Sequence, residues 1–320
     1  MMPSNFVSED IEAVVAALLG AIDVDAGATD EQLAVLQAFA THLWKRPDIK
    51  LPSVAPSGPH DIAARLIDDK SRLWFCELMM ILELCRHPQS VTQVEKAEEF
   101  ATALNVSNIA LETTRTALER GSAVVAGDLE RLYGEILPEI SERSLRDRYL
   151  RLETPDPALS EQLRTLEDLP IGTLGHAYIA FYDNYGFTMP GDDPHLPAHY
   201  VNHDMNHVIT GYAPTAAGEI ARSGFLMAAN ASRHNWLEFL LTMSIHESGV
   251  LNHGEIRSKF ATLSRPGVAD LLGEGIDRGH QCPIDLSQVD HLAIADESLE
   301  SIRKRFNIVP LADPEGTNAI

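Results

Sequence analysis

Cysteine is nearly missing from this chain: Cys76, Cys85 and Cys282 are the only three in 320 residues. They form no Cys-x-x-Cys pair and no disulfide framework, and they read as small buried hydrophobes in a reducing compartment. Basic residues are scarce as well, 25 against 47 acidic, for a net charge of −22. The deficit is even along the chain: residues 1–150 carry 24 acidic and 14 basic side chains, and residues 151–320 carry 23 and 11. Neither half has a basic face for a phosphate backbone, which excludes nucleic acid as a partner. The same charge opposes attraction to anionic lipid, so membrane contact is at most peripheral, hydrophobic and local. Long apolar runs are absent too; the longest, residues 13–22, is too short to span a bilayer. The opening Met-Met-Pro-Ser-Asn-Phe-Val-Ser-Glu-Asp is acidic where a signal peptide is basic. A cytoplasmic protein, at most peripheral on the inner face of a membrane, is expected.

No stretch alternates with period two, while period-3.6 patterning recurs throughout, so the expected fold class is all-α. A length of 320 residues exceeds what one core usually serves, and 45% apolar residues suffice for two. Helix starts are signalled at Ser8-Glu9-Asp10, at Thr29-Asp30-Glu31 and at Ser90. A long charged helical stretch runs from about Leu111 to Leu152, and Glu153-Thr154-Pro155-Asp156-Pro157 breaks it. Two helical domains are expected, 1–152 and 158–320. In the second, helices are expected near 159–167, 172–185, 197–212, 216–231, 235–250, 254–263, 268–278 and 297–306. The last follows a capping-box pattern at Asp296-Glu297-Ser298-Leu299-Glu300. Residues 187–196 form a loop by their prolines and glycine.

In the first half, Ala21-Ile22-Asp23-Val24-Asp25-Ala26-Gly27 followed by a helix from Thr29 resembles the acidic turn of tellurite-resistance protein B-like helical domains. A second copy around Glu83–Val94 lacks the acidic turn. An ordinary acidic turn in a helical interaction module is the simpler reading.

Ten of the thirteen histidines lie after residue 175. His195, His199, His203 and His207 step by four, and residues four apart share a helix face with Cβ atoms roughly 5–6 Å apart. At this histidine content roughly half such a pair arises by chance, so spacing alone is weak. Pro194 and Pro197 place His195 in a loop and His199 in a first turn, as surface or entrance residues. His203 and His207 have better company. Asp204 flanks their face and can ligate or orient an imidazole. Gly211-Tyr212-Ala213-Pro214 ends their helix and turns the chain, so Glu219 falls early in the next helix, facing back. Two imidazoles and two carboxylates balance a dication and suit zinc, iron or manganese, with positions left for substrate or water. A hydrogen-bonded polar cluster in a helical core fits the same spacing.

The stretch from His203 to Glu219, H-D-M-N-H-V-I-T-G-Y-A-P-T-A-A-G-E, resembles the H-D-x-x-H-x11-E signature of the coenzyme Q biosynthesis protein 4 family. Leu169-Pro170-Ile171-Gly172-Thr173-Leu174-Gly175-His176-Ala177-Tyr178 is similar to the family's segment before that motif. The run Leu299-Glu300-Ser301-Ile302-Arg303-Lys304-Arg305-Phe306-Asn307-Ile308-Val309-Pro310 resembles its closing helix. The three matches lie within about residues 165–312. The resemblance implies an all-α metal-binding bundle with ligands His203, Asp204, His207 and Glu219. It implies a part in ubiquinone biosynthesis, with a prenylated aromatic or prenyl lipid as ligand and other quinone-biosynthesis enzymes as partners. The implied activity, lyase- or oxygenase-like, is decarboxylation with hydroxylation at a ring carbon of a prenylated hydroxybenzoate. Asn206 departs from the aromatic residue often found before the second histidine, and residues 1–150 lie outside the family's usual extent.

Two other readings share the site. One is a non-catalytic metal- and lipid-binding scaffold for a quinone-biosynthesis complex. The other is a metal-dependent phosphohydrolase, built from the His203-Asp204 doublet with His176 and Asp277. The apolar residues of 225–227 and 237–243 suit helix packing better than a lipid wall. Tyr178 and Tyr212 read as satisfied core tyrosines. His234, His246 and His253, each near an acid (Glu238, Glu247 and Glu255), read as helix-surface residues or as support behind the ligands.

Overall fold

The computed structural model describes residues 6–106, 134, 140, 142–145, 155–193, 198–230, 232–249 and 260–311. The described residues are helical with no strand; isolated bridges join Thr173 to Ser298 and Pro190 to Asp193. The all-α expectation holds. No described helix is long and apolar enough to cross a membrane. The expected helix over 111–152 and most of that over 254–263 lie outside the described residues.

Among the described residues, five helices form the N-terminal part: α1 (Ile11–Ile22), α2 (Asp30–Ala38), α3 (Pro59–Arg65), α4 (Asp69–Leu84) and α5 (Val91–Ala103). Thr29 caps α2 in a full capping box with Gln32, and Ser90 caps α5 by accepting from the Gln93 amide. These two turns face each other. Gln32 donates to Gln93 at 2.9 Å and to the Leu82 carbonyl, while Arg86 reaches the carbonyls of Ile22 and Gly27. Asp25, in the acidic turn, accepts from Ser90 at 2.5 Å and lies 3.7 Å from Arg86. The turns before α2 and α5 thus hold one another.

Seven further helices follow among the described residues: α6 (Pro157–Arg164), α7 (Leu174–Tyr185), α8 (His199–Thr210), α9 (Ala216–Ala229), α10 (Arg233–His246), α11 (Val268–Gly279) and α12 (Leu299–Arg305). Side-chain caps start most of them: Asp156, Thr173, Thr215, Ser232 and Ser298 each accept from an amide of the first turn. Glycines in the left-handed region, Gly186 and Gly211, end α7 and α8.

One continuous apolar core runs through helices of both parts. Phe39 meets Phe239 with ring centroids 6.1 Å apart. His87 pairs with the buried Glu247 at 2.9 Å, and Arg233 pairs with Glu77. Helix α9 packs against both α10 and α11, and at α11 backbone approaches backbone closely. A Cβ on Gly275 would sit 2.4 Å from the Ala221 carbonyl oxygen, and one on Gly279 would sit 2.2 Å from that of Phe225. The three cysteines are buried and unpaired, as expected. The apolar residues of 225–227 and 237–243 belong to the core.

Candidate metal centre

His203 and His207 stand one turn apart on α8. The helix ends at Gly211, whose φ of 86° suits glycine, and the chain turns back so that the Tyr212 carbonyl meets His207 Nδ1 at 2.9 Å. Thr215 then caps α9. A side chain at position 218 is impossible here, since a Cβ would lie 2.0 Å from the Ala213 carbonyl oxygen; Gly218 lets the turn close tightly. Glu219 follows it and faces α8.

Three ligand-type side chains converge as a result. His203 Nε2 and His207 Nε2 are 3.2 Å apart; Glu219 lies 3.0 Å from His207 Nε2 through Oε1 and 3.4 Å from His203 Nε2 through Oε2. Atoms bound at about 2.0–2.1 Å to one tetrahedral ion stand about 3.3 Å apart, so the observed spacing fits a single small dication. The chemistry of the donors agrees. A carbonyl can only accept, so His207 Nδ1 carries a proton, and Nε2 is the atom turned to the Glu219 carboxylate. A ring nitrogen and a carboxylate oxygen that close share a cation, which a proton on Nε2 or a metal ion supplies. Burial would raise the Glu219 pKa, but His207 and His203 outweigh it and hold the carboxyl well below its usual range. Among the described residues, His203, His207 and Glu219 are the one group of this kind able to hold a metal.

Of the four expected ligands, three are together. Asp204 is buried beside them but lies outside the convergent trio, and its carboxylate accepts from the Tyr182 hydroxyl of α7. Burial raises its pKa against the pull of His203, Tyr182 and His207. Of the three, His203 alone is substantially open to solvent, with 25% of its side chain exposed. On the other flank the Phe181 ring stacks on His207 at 5.8 Å, and Tyr185 and Phe187 continue that aromatic row to the surface.

Several nearby residues carry no spacing signal of their own. Arg222, one turn after Glu219, is buried between Glu219, Glu238 and His203. Helix α10 contributes Glu238 and His246, eight residues apart on one face. Burial pushes the His246 pKa down to about 4 against the pull of Glu219. A polar residue recurring on the buried face of α10 was the available clue.

Other expectations change. His199 is buried against the Tyr200 ring rather than at the surface, and His195 lies outside the described residues, as do His253 and Glu255. Neither His234 nor His246 is a surface residue. His234 bonds Asp285 and Ser287; Glu238 pairs with Arg222, and Glu247 pairs with His87. Asn206 is buried and hydrogen-bonds His291 and Asn202, a polar contact that an aromatic ring could not make. Tyr178 and Tyr212 are core residues, the latter under the Arg278 guanidinium. The phosphohydrolase set does not assemble. His176 faces the Glu167 carbonyl, while Asp277 faces His42 and Lys45.

No protein-family model matches the chain, and no curated protein does. A crystal structure of a Nostoc punctiforme protein named for ubiquinone biosynthesis is similar over 76% of this chain and 99% of that one. The identity is 17% and the TM-score 0.34.

Proposed function

We propose that the protein binds one divalent metal ion, zinc or iron, and serves prenylquinone biosynthesis by acting on a ring carbon of a prenylated hydroxybenzoate. His203, His207 and Glu219 hold the ion, and Asp204 completes the set and balances its charge. The observation that carries the proposal is the mutual approach of the three donor side chains, with contacts of 3.0–3.4 Å. The resemblance of residues 203–219 to the coenzyme Q biosynthesis protein 4 signature supplies the substrate class.

A divalent ion at this point supplies Lewis acidity toward a phenolic oxygen or a carboxylate. The chain's own residues do the rest. Phe181, Tyr185 and Phe187 offer a π-surface running from His207 to solvent, suited to an aromatic ring or an isoprenoid tail. The exposed flank of His203 is the way in, and buried neighbours exclude water on the other sides. Replacing a ring carboxylate by a hydroxyl consumes dioxygen and water and releases CO2 and hydrogen peroxide, so dioxygen is the oxidant.

Metal analysis of protein purified without chelators, alongside His203→Ala and Glu219→Ala, tests the site. About one ion per wild-type chain and loss in both variants is expected; undiminished content in both overturns the site. Incubation with prenylated hydroxybenzoates and oxygen, read by mass spectrometry, tests the reaction. Bound prenyl lipid without product favours the scaffold reading.

A further inference from the structure

Arg222 is 1% exposed and meets three partners. Its Nη1 lies 2.9 Å from Glu238, its Nε and Nη2 lie 3.4 Å from Glu219, and its Nη2 lies 3.0 Å from His203 Nδ1. The last contact fixes a tautomer. A guanidinium has donors only, so His203 Nδ1 accepts, and the neutral ring carries its hydrogen on Nε2, the atom directed at His207 and Glu219. Metal-ligating histidines follow the opposite pattern: the second ring nitrogen donates to a carbonyl, carboxylate or water. His207 obeys that pattern through Tyr212, which leaves its Nε2 for a ligand bond. His203 is held in the other form.

We propose that Arg222 is an internal cation that gates metal occupancy. It holds His203 and Glu219 while the ion is away, and it withdraws onto Glu238 to let the ion in. This rests on the proposed ligand set of His203, His207 and Glu219. Helix α10 supplies what a gate needs. Glu238 already touches Nη1, so release from His203 leaves the guanidinium paired inside the protein instead of orphaned. The charge acts in the same direction, because a buried guanidinium beside Glu219 repels an incoming dication. Removing Arg222 therefore tightens metal binding, whereas removing Glu238 deprives the arginine of its fallback and weakens it.

Competition with a chromophoric chelator measures zinc affinity in wild type, Arg222→Gln, Arg222→Gln/Glu238→Gln and Glu238→Gln. Glutamine is uncharged, and its amide oxygen can accept from His203 Nδ1. Both variants lacking Arg222 are expected to bind zinc at least about tenfold more tightly than wild type, and Glu238→Gln more weakly. Unchanged or weaker binding in folded variants lacking Arg222 overturns the gate and makes Arg222 a support for Glu219. A second readout needs no substitution. Long-range proton–nitrogen correlation spectra of wild type, without and with zinc, report the tautomer of each ring. Expected is Nε2–H for His203 without zinc and Nδ1–H with it, with His207 in the Nδ1–H form throughout. Nδ1–H on His203 before zinc is added overturns the gate even where the metal site itself stands. Zinc uptake that is absent from wild type, or indifferent to His207→Ala, overturns the ligand set instead.

Discussion

The Tyr182 hydroxyl donates to the Asp204 carboxylate, so the acid of the His-Asp doublet is anchored from α7. Asp204 is buried, and a hydrogen bond to a charged acceptor contributes about 1.5–3 kcal/mol. Tyr182→Phe is expected to lower metal-free stability by that amount. With zinc present the loss is smaller, because Asp204 then has the ion as partner. Urea unfolding of both proteins with and without zinc gives the comparison; an equal loss in both conditions argues that Asp204 never turns to the metal.

A metal ion bound at the proposed site would couple to folding, since the donors come from two helices that an unfolded chain does not hold together. At free zinc one hundred times its dissociation constant, stabilisation of about 2.7 kcal/mol is expected. His207→Ala and Glu219→Ala each remove it. Chemical denaturation over a zinc series measures the effect, and a midpoint insensitive to zinc in wild type counts against the site.

The convergence of α8 and α9 was legible because its causes are local. Four-residue spacing puts His203 and His207 on one face. A glycine C-cap ends the helix, a threonine N-cap starts the next, and Gly218 closes the turn between them. Asp204 was legible as a neighbour but its direction was not, since Tyr182 reaches it from another helix. Arg222 escaped for the same reason: an arginine three residues after a glutamate reads as an ordinary surface pair. His199 looked like an entrance residue by its prolines, yet tertiary packing against Tyr200 buries it. The helical class followed from period alone. The seam between the two parts, with Phe39 on Phe239 and His87 on Glu247, leaves no periodic trace at all.

His246 makes the fold sensitive to acid. Burial lowers its pKa from the ordinary 6.5 to about 4, with His203, Arg222 and His207 adding to the fall and Glu219 opposing it. A depressed folded value stabilises the protein above the unfolded pKa, and that contribution is lost as pH falls from 6.5 toward 4. By pH 5 the loss is about 2 kcal/mol. The stability difference between metal-free wild type and His246→Gln is therefore expected to shrink by about that much from pH 7 to pH 5. Urea midpoints at several pH values read it, and parallel curves for the two proteins contradict it.

The close approach of α9 and α11 gives the candidate metal site a remote control, because α9 carries both Glu219 and Arg222. An alanine at position 275 or 279 relieves helical glycine of up to about 1 kcal/mol of unfavourable propensity. It also drives a methyl group to 2.4 or 2.2 Å from a backbone carbonyl oxygen of α9, which cannot yield as a side-chain tip can. Overpacking of this kind costs about 1–3 kcal/mol or more, so both substitutions are expected to destabilise the fold. They are also expected to weaken zinc binding by displacing α9. Gly224→Ala meets only the Leu272 side-chain end, at 2.6 Å, and serves as the milder control. The expected order of loss is Gly279→Ala, then Gly275→Ala, then Gly224→Ala, in both unfolding free energy and zinc affinity. Stability lost without any change in zinc affinity would show that α9 holds its place at the site independently of α11.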